Sequence, residues 1–253
     1  MKRKKSGLIL FALPLTFLLG YLLTGCQSLL PGKSAKNEAL SSPEPVLVWE
    51  GKQGDKCYTV AIDAQGQAQF GACSGPLSTG LISSDMERPE DLRHFLDSFQ
   101  PFEANTFAGR INFLGHGVNS AKASEQRAIA EWASIVYYEL LYGRGSASWG
   151  MGIALNREGD NPCQLIQIEI DGKVMANDCR DGIHPYPRIW LTVEQLDRLY
   201  GWIDRFQAAE LNFQSEDGQP MRFVFGGKGN QAVTDVELKE MLGWVERIYE
   251  RVQ

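Results

Sequence analysis

Apolar positions along the chain recur at two different periods, and the switches between them lay out the elements. Val46-Leu47-Val48-Trp49 and Ile153-Ala154-Leu155 are short continuous apolar runs of strand length. From Tyr58 to Ala72 the pattern alternates. Tyr58, Val60, Ile62, Ala68, Phe70 and Ala72 fall on one side and Thr59, Asp63, Gln67 and Gln69 on the other, which predicts a half-buried hairpin. Behind Pro89 the period becomes helical, with Leu92, Phe95, Leu96 and Phe99 in register. Leu196, Leu199, Tyr200 and Ile203 repeat it behind Thr192, whose partner Gln195 completes a capping box. Another strand then runs into Gly115-His116-Gly117 or Gly227-Lys228-Gly229. A closing helix carries Ile129, Trp132, Val136 and Leu140, or Met241, Trp244, Ile248 and Val252, on one face. The order β, β-hairpin, α, β, α therefore occurs twice. The second run has extra residues before its last strand, LNFQSEDGQPMRFVF, a candidate additional hairpin.

The two runs also overlay residue by residue. CYTVAIDAQGQAQFGAC lies over CQLIQIEIDGKVMANDC, EDLRHFLDSF over EQLDRLYGWI, and INFLGHG over FVFGGKG, while Trp132 and Tyr137 fall over Trp244 and Tyr249. A conserved order of matches at a fixed period marks an internal duplication of about 100 residues. The predicted class is α+β: two tandem repeats, each a small antiparallel sheet with a stapled hairpin packed against two helices. The repeats are placed at 46–142 and 152–253, joined by a linker at 143–151. Each is large enough to build its own core.

Ahead of the repeats the pattern is of another kind. Lys2-Arg3-Lys4-Lys5 precedes an apolar run of roughly 15 residues, a basic n-region and an h-region too short for a comfortable transmembrane helix. The run ends in Leu23-Thr24-Gly25-Cys26, which resembles the bacterial lipobox. That resemblance implies a signal peptide at 1–25, a diacylglyceryl thioether on Cys26, cleavage before it and acylation of the new amino terminus. Several acyl chains, such as palmitate, at about 0.8 kcal/mol per buried methylene hold a protein on a membrane stably. Gln27 after the cysteine resembles the pattern sorted to the outer membrane in hosts that have one; in others the anchor faces outward from the cytoplasmic membrane. Residues 26–45 read as a flexible tether with a reach of about 24 Å. Four of the 25 basic residues and none of the 31 acidic ones precede Cys26, so cleavage leaves a net charge of −10. That charge argues against nucleic acid as a partner and makes the lipid on Cys26 the expected membrane contact.

Four of the five cysteines remain, equally spaced in the two copies. Cys57 and Cys73 are symmetric about Gln65, so direct pairing needs a loop with an odd number of residues. Three-residue loops with a left-handed glycine last, Ala64-Gln65-Gly66 and Ile170-Asp171-Gly172, meet that need. Opposed cysteines on paired strands in an oxidising compartment predict the disulfides Cys57–Cys73 and Cys163–Cys179, on the outer face. The spacing fits neither a redox Cys-x-x-Cys site nor a zinc site.

Little else reads as chemistry. Of the three histidines, His94 lies off the apolar stripe of its helix, opposite Arg198 in the overlay, and is expected to be solvated. Gly115-His116-Gly117 resembles half of a nucleotide-binding turn, but Ser120 stands where a third glycine belongs and the other copy has Lys228 in place of His116. What both copies keep is the glycine pair, which predicts positive φ there. His116, Lys228 and His184, the last in the extended connector DGIHPYPRIW, are the candidate binding residues. With them go the loops Lys52 to Lys56 and Arg157 to Pro162. Asp171-Gly172 and Glu216-Asp217-Gly218 read as turn formers. No nucleophile elbow, zinc-protease helix, phosphate loop or calcium loop is present. The expectation is a protein without catalysis, metal or cofactor.

The order of elements resembles small exported bacterial modules found in lipoproteins and, more distantly, emfourin-type metalloprotease inhibitors, although the Arg-Ser-Gly-Gly-Phe start of the latter is absent. The expected function is a membrane-anchored, non-catalytic protein that binds another protein or supports the envelope. A protease inhibitor is the alternative, with an envelope hydrolase behind it.

Overall fold

In the computed structural model, which describes residues 43–84, 87–143, 150–157, 164–178, 184–214 and 218–253, the first apolar run becomes β1 (Leu47–Gln53). The alternating segment forms β2 (Lys56–Ile62) and β3 (Gln67–Ala72), followed by β4 (Ser78–Leu81), α1 (Arg88–Ser98), β5 (Phe102–Thr106), β6 (Gly109–Phe113) and α2 (Ala123–Tyr142). The second half supplies β7 (Met151–Arg157), β8 (Gln164–Glu169), β9 (Lys173–Asp178), β10 (His184–Pro185), β11 (Ile189–Trp190), α3 (Val193–Arg205), β12 (Gln207–Gln214), β13 (Pro220–Lys228) and α4 (Asp235–Val252). The fold is α+β, with two antiparallel sheets ordered β4-β3-β2-β1-β6-β5 and β10-β9-β8-β7-β13-β12, β11 also pairing with β9.

The hairpin registers follow from their turns. The Asp63 amide donates to the Gln67 carbonyl beyond the Ile62–Ala68 pair, and β8 and β9 meet at Glu169 and Lys173, leaving three-residue loops that close on Gly66 at φ 81° and Gly172 at φ 87°. Asp63 Oδ1 accepts the amides of Gln65 and Gln67, so the first loop fixes its own polar groups. Cys57 and Cys73 are disulfide-bonded with Cα atoms 5.4 Å apart, and Cys73 is exposed, on the face away from the core. Cys163 and Cys179 lie outside the described residues, as do the signal segment, Cys26 and most of the tether. The helix caps also follow the sequence: Thr192 Oγ1 accepts the Gln195 amide, and Thr234 Oγ1 that of Glu237.

Three features differ from expectation. The first half contains a second hairpin, β5–β6, where one strand was expected. Its two-residue turn, Phe107-Ala108, is held locally by Thr106 Oγ1, which accepts the Ala108 amide and donates to the Gly109 carbonyl, and from another strand by the Trp49 indole N–H, which donates to the Ala108 carbonyl at 2.9 Å. Short edge strands β4, β10 and β11 widen both sheets. The connector after residue 183 is thus partly sheet, tied down by the Tyr186 amide on the Ala176 carbonyl.

Each sheet buries one face under its helices, but the cores are not separate. α2 gives Ile129, Trp132, Val136 and Tyr137 to the first core and Ala128 and Ile135 to the second. Trp190, from the second half, packs on the first core. Closing a loop of this length with a disulfide constrains the unfolded chain by on the order of 3 kcal/mol. Cys73→Ser is therefore expected to lower the unfolding free energy by about that much in a denaturant titration, and non-reducing peptide mapping is expected to show Cys163 joined to Cys179 as well.

Candidate functional site

The largest concentration of charge lies where the halves meet, and it is buried. Arg88 and Asp91, in the first turn of α1, and Glu139, near the end of α2, face the tip of the β8–β9 hairpin with Glu169, Asp171 and Lys173. Arg88 is 1% exposed and Asp171 0%. Arg88 Nη2 donates to Glu139 Oε1 at 2.9 Å, and its Nη1 lies 3.1 Å from Glu169 Oε2, 3.4 Å from Asp91 Oδ2 and 3.6 Å from Asp171 Oδ2. Lys173 Nζ donates to Asp91 Oδ2 at 2.8 Å and is 3.5 Å from Glu169 Oε2. The indole N–H of Trp132 reaches Asp91 Oδ2 at 3.3 Å.

Two cations thus face four carboxylates, all but Glu139 of them buried, and the excess negative charge decides which groups hold protons. Asp171 carries the largest burden. Its Oδ1 accepts the Lys173 amide at 3.0 Å, whereas Oδ2 has no hydrogen-bond partner. Burial, with Glu169 beside it, pushes its carboxyl up to about 7 against the pull of Arg88 and Lys173. Burial also raises Asp91 from the ordinary carboxylate range, opposed by Lys173 and Arg88. Burial works against the charge on Arg88, but Glu169, Glu139 and Asp171 outweigh it and hold the guanidinium above its usual value.

A second set of contacts pins the other end of α2. Arg127 Nη1 and Nη2 both donate to Asp204 at 2.6 Å, and its guanidinium lies 4.0 Å from the Tyr200 ring centroid and 4.8 Å from that of Phe107. Lys228 Nζ donates to both oxygens of Glu131 at 3.0 Å. Arg188 pairs with Glu87, and the His94 ring stacks on Trp190 at 4.8 Å with 6° between planes.

Of the candidate binding residues, Lys228 is engaged across the junction, and His116 stands exposed near the first half's helix end, 3.6 Å from Asp97. His184 occupies β10, opposite Asp178. The glycine pairs do not have positive φ. They are glycines because a Cβ on Gly115 would strike the Phe99 carbonyl oxygen, one on Gly117 the Ser98 carbonyl carbon, and those on Gly227 and Gly229 the backbone of Phe206 and Arg205. The turn amides are already used. His116 and Gly117 both donate to the Leu96 carbonyl, and Gly229 donates to the carbonyls of Ile203 and Phe206. A turn whose amides cap the preceding helix has none left to cradle a phosphate. The connector's Arg188 and Trp190 are likewise spent on the first half.

Two adjoining grooves, of about 440 Å3 and 260 Å3, share Gly51, Lys52, Phe107 and Ala108, and Lys228 closes the smaller one. A third, of about 690 Å3, runs along α4 beside Phe213, Met221, Leu238 and Leu242. Asp171 and Arg88, both displaced by burial and neighbouring charge, line none of the three. Among the described residues, no group of His, Cys, Asp and Glu could hold a metal ion. No family model, curated protein or solved structure matches the chain.

In the sequence Asp171 reads as a turn former, which it is through Oδ1; its place in the buried cluster is a second role. A signal was present in the overlay: Asp171 and Lys173 stand where the first copy has Gln65 and Gln67. Because the folded-state value of Asp171 lies above its ordinary 3.8, its contribution to stability is complete below about pH 4 and is lost as pH rises through about 7. Wild type minus Asp171→Asn unfolding free energies should therefore fall with pH over that window, by up to about 1.4 kcal/mol per pH unit. Denaturant titrations from pH 4.5 to 8 check this.

Proposed function

We propose that the chain is a lipid-anchored protein of the bacterial envelope, built from two copies of one α+β module, that acts by binding another protein and not by catalysis. The observation that carries the anchor is Leu23-Thr24-Gly25-Cys26 at the end of a basic and then apolar segment. Among the described residues no helix is long and apolar enough to cross a membrane. The two-copy reading is supported by the shared strand order, the matching three-residue hairpin loops and the same glycine-built helix caps in both halves.

The binding reading draws on how the charged groups are used. Arg88, Asp91, Asp171 and Lys173 join the halves into one body and are withdrawn from solvent. What faces outward beside the paired grooves is the Lys52 to Lys56 turn and Phe107, which is 67% exposed. A tethered rigid body with exposed turns suits capture of a partner near the membrane.

The mature protein is expected to fractionate with membranes and to incorporate labelled palmitate, and Cys26→Ser to abolish both. Crosslinking in intact envelopes should then recover a discrete protein partner. A variant that stays membrane-bound and unlabelled would overturn the anchor. Inhibition of a metalloprotease panel by the purified protein would replace the binding reading with the inhibitor one.

A further inference from the structure

We propose that Lys173 and Asp91 condense to an amide, so that the folded chain closes a covalent cross-link between its two halves. The nucleophile and the electrophile are in place. Lys173 Nζ lies 2.8 Å from Asp91 Oδ2, and the two residues are 2% and 5% exposed. Neither is carried on a mobile loop: one opens β9 at the hairpin tip, the other sits in the first turn of α1. A pair held in contact by the fold reacts at the high effective concentration of an intramolecular reaction.

The surrounding groups match what addition of an amine to a carboxyl requires. Asp91 Oδ2 is approached by three donors, Lys173 at 2.8 Å, the Trp132 indole N–H at 3.3 Å and Arg88 Nη1 at 3.4 Å. Once Lys173 attacks, Trp132 and Arg88 remain to stabilise the negative charge that develops on that oxygen. Glu169 Oε2, 3.5 Å from Nζ, is placed to accept the ammonium proton and is steadied by Arg88 at 3.1 Å. Burial works against the ionised form of Asp91, which favours conversion of the charged pair to an uncharged amide.

The step balances without an oxidant or co-reactant. The Lys173 Nζ–Asp91 Cγ bond forms and the Cγ–Oδ1 bond breaks. Two protons of the ammonium group pass by way of Glu169 to Oδ1, which departs as water, and Glu169 ends ionised as it began. An ion pair that is costly to keep dry becomes a neutral amide, which gives the condensation a driving force absent in water. Only one of the two hairpin tips has the residues for it. In the first copy Gln67 stands in place of Lys173 and Asp63 in place of Glu169, and the equivalent of Asp91 is Gln195.

Peptide mapping of the purified mature protein after reduction decides the matter. The expected result is a branched tryptic peptide joining the segments around Asp91 and Lys173, lighter than their sum by one water and uncut at Lys173. Recovery of the two segments unlinked from wild-type protein overturns the proposal. Lys173→Arg should give no branched peptide, and Glu169→Gln should lower the linked fraction roughly tenfold or more at a fixed time after expression. An undiminished fraction in Glu169→Gln would overturn its assignment as the base.

Discussion

The junction between the halves depends on the guanidinium of Arg88. A buried cation is tolerable only when it is surrounded by carboxylates, and removing any of them exposes the cost of the rest. Arg88 meets Asp91 and Glu139 from its own half and Glu169 and Asp171 from the other, so its partners are complete only when both halves are in place. Lys173 then answers the charge left on Asp91. The same logic holds at the opposite end of α2, where Arg127 is gripped by Asp204 and stacked on Tyr200. α2 is thereby pinned at Arg127 and at Glu139, about 18 Å apart along the helix. That leaves little freedom for one half to turn against the other.

This pinning explains why α2 is buried on more than one side. Ile129, Trp132 and Val136 form the stripe expected from helical periodicity, while Ala128 and Ile135 form a second stripe against the other core. Beyond the second stripe lie Arg127 and Glu131, both nearly inaccessible. Polar residues at such positions read as solvent-facing in a sequence, because periodicity registers hydrophobicity and not pairing. The helix was legible, whereas its role as the shared wall of two cores was not.

The same division runs through the rest of the fold. Features set by neighbouring residues could be read: the hairpin registers from cysteine symmetry and a terminal glycine, the Thr192 cap from Gln195, and the first turn of α1 from Pro89. Features set across the structure could not. The Phe107-Ala108 turn is tied to another strand by the Trp49 indole N–H as well as by its own Thr106. The glycine pairs are required by the helix end packed against them, so counting glycines suggested positive φ where close approach was the cause. The junction cluster draws its members from α1, α2 and one hairpin, and no local spacing records that meeting.

The overlay of the two copies shows what the junction displaced. At the start of α3, Thr192 and Gln195 satisfy each other's backbone amides, the ordinary use of polar residues at a helix entrance. The aligned positions at α1 hold Arg88 and Asp91, whose side chains turn to the other half. α1 accordingly begins without a side-chain cap, behind Glu87 at φ 55°. A left-handed residue that is not glycine, and a helix end without its cap, are local costs. They are tolerated here because Glu87 pairs with Arg188 and Arg88 completes the buried cluster, both contacts made with the second half. The first copy's helix start is therefore built for the junction, and its local irregularities are explained by what it meets there.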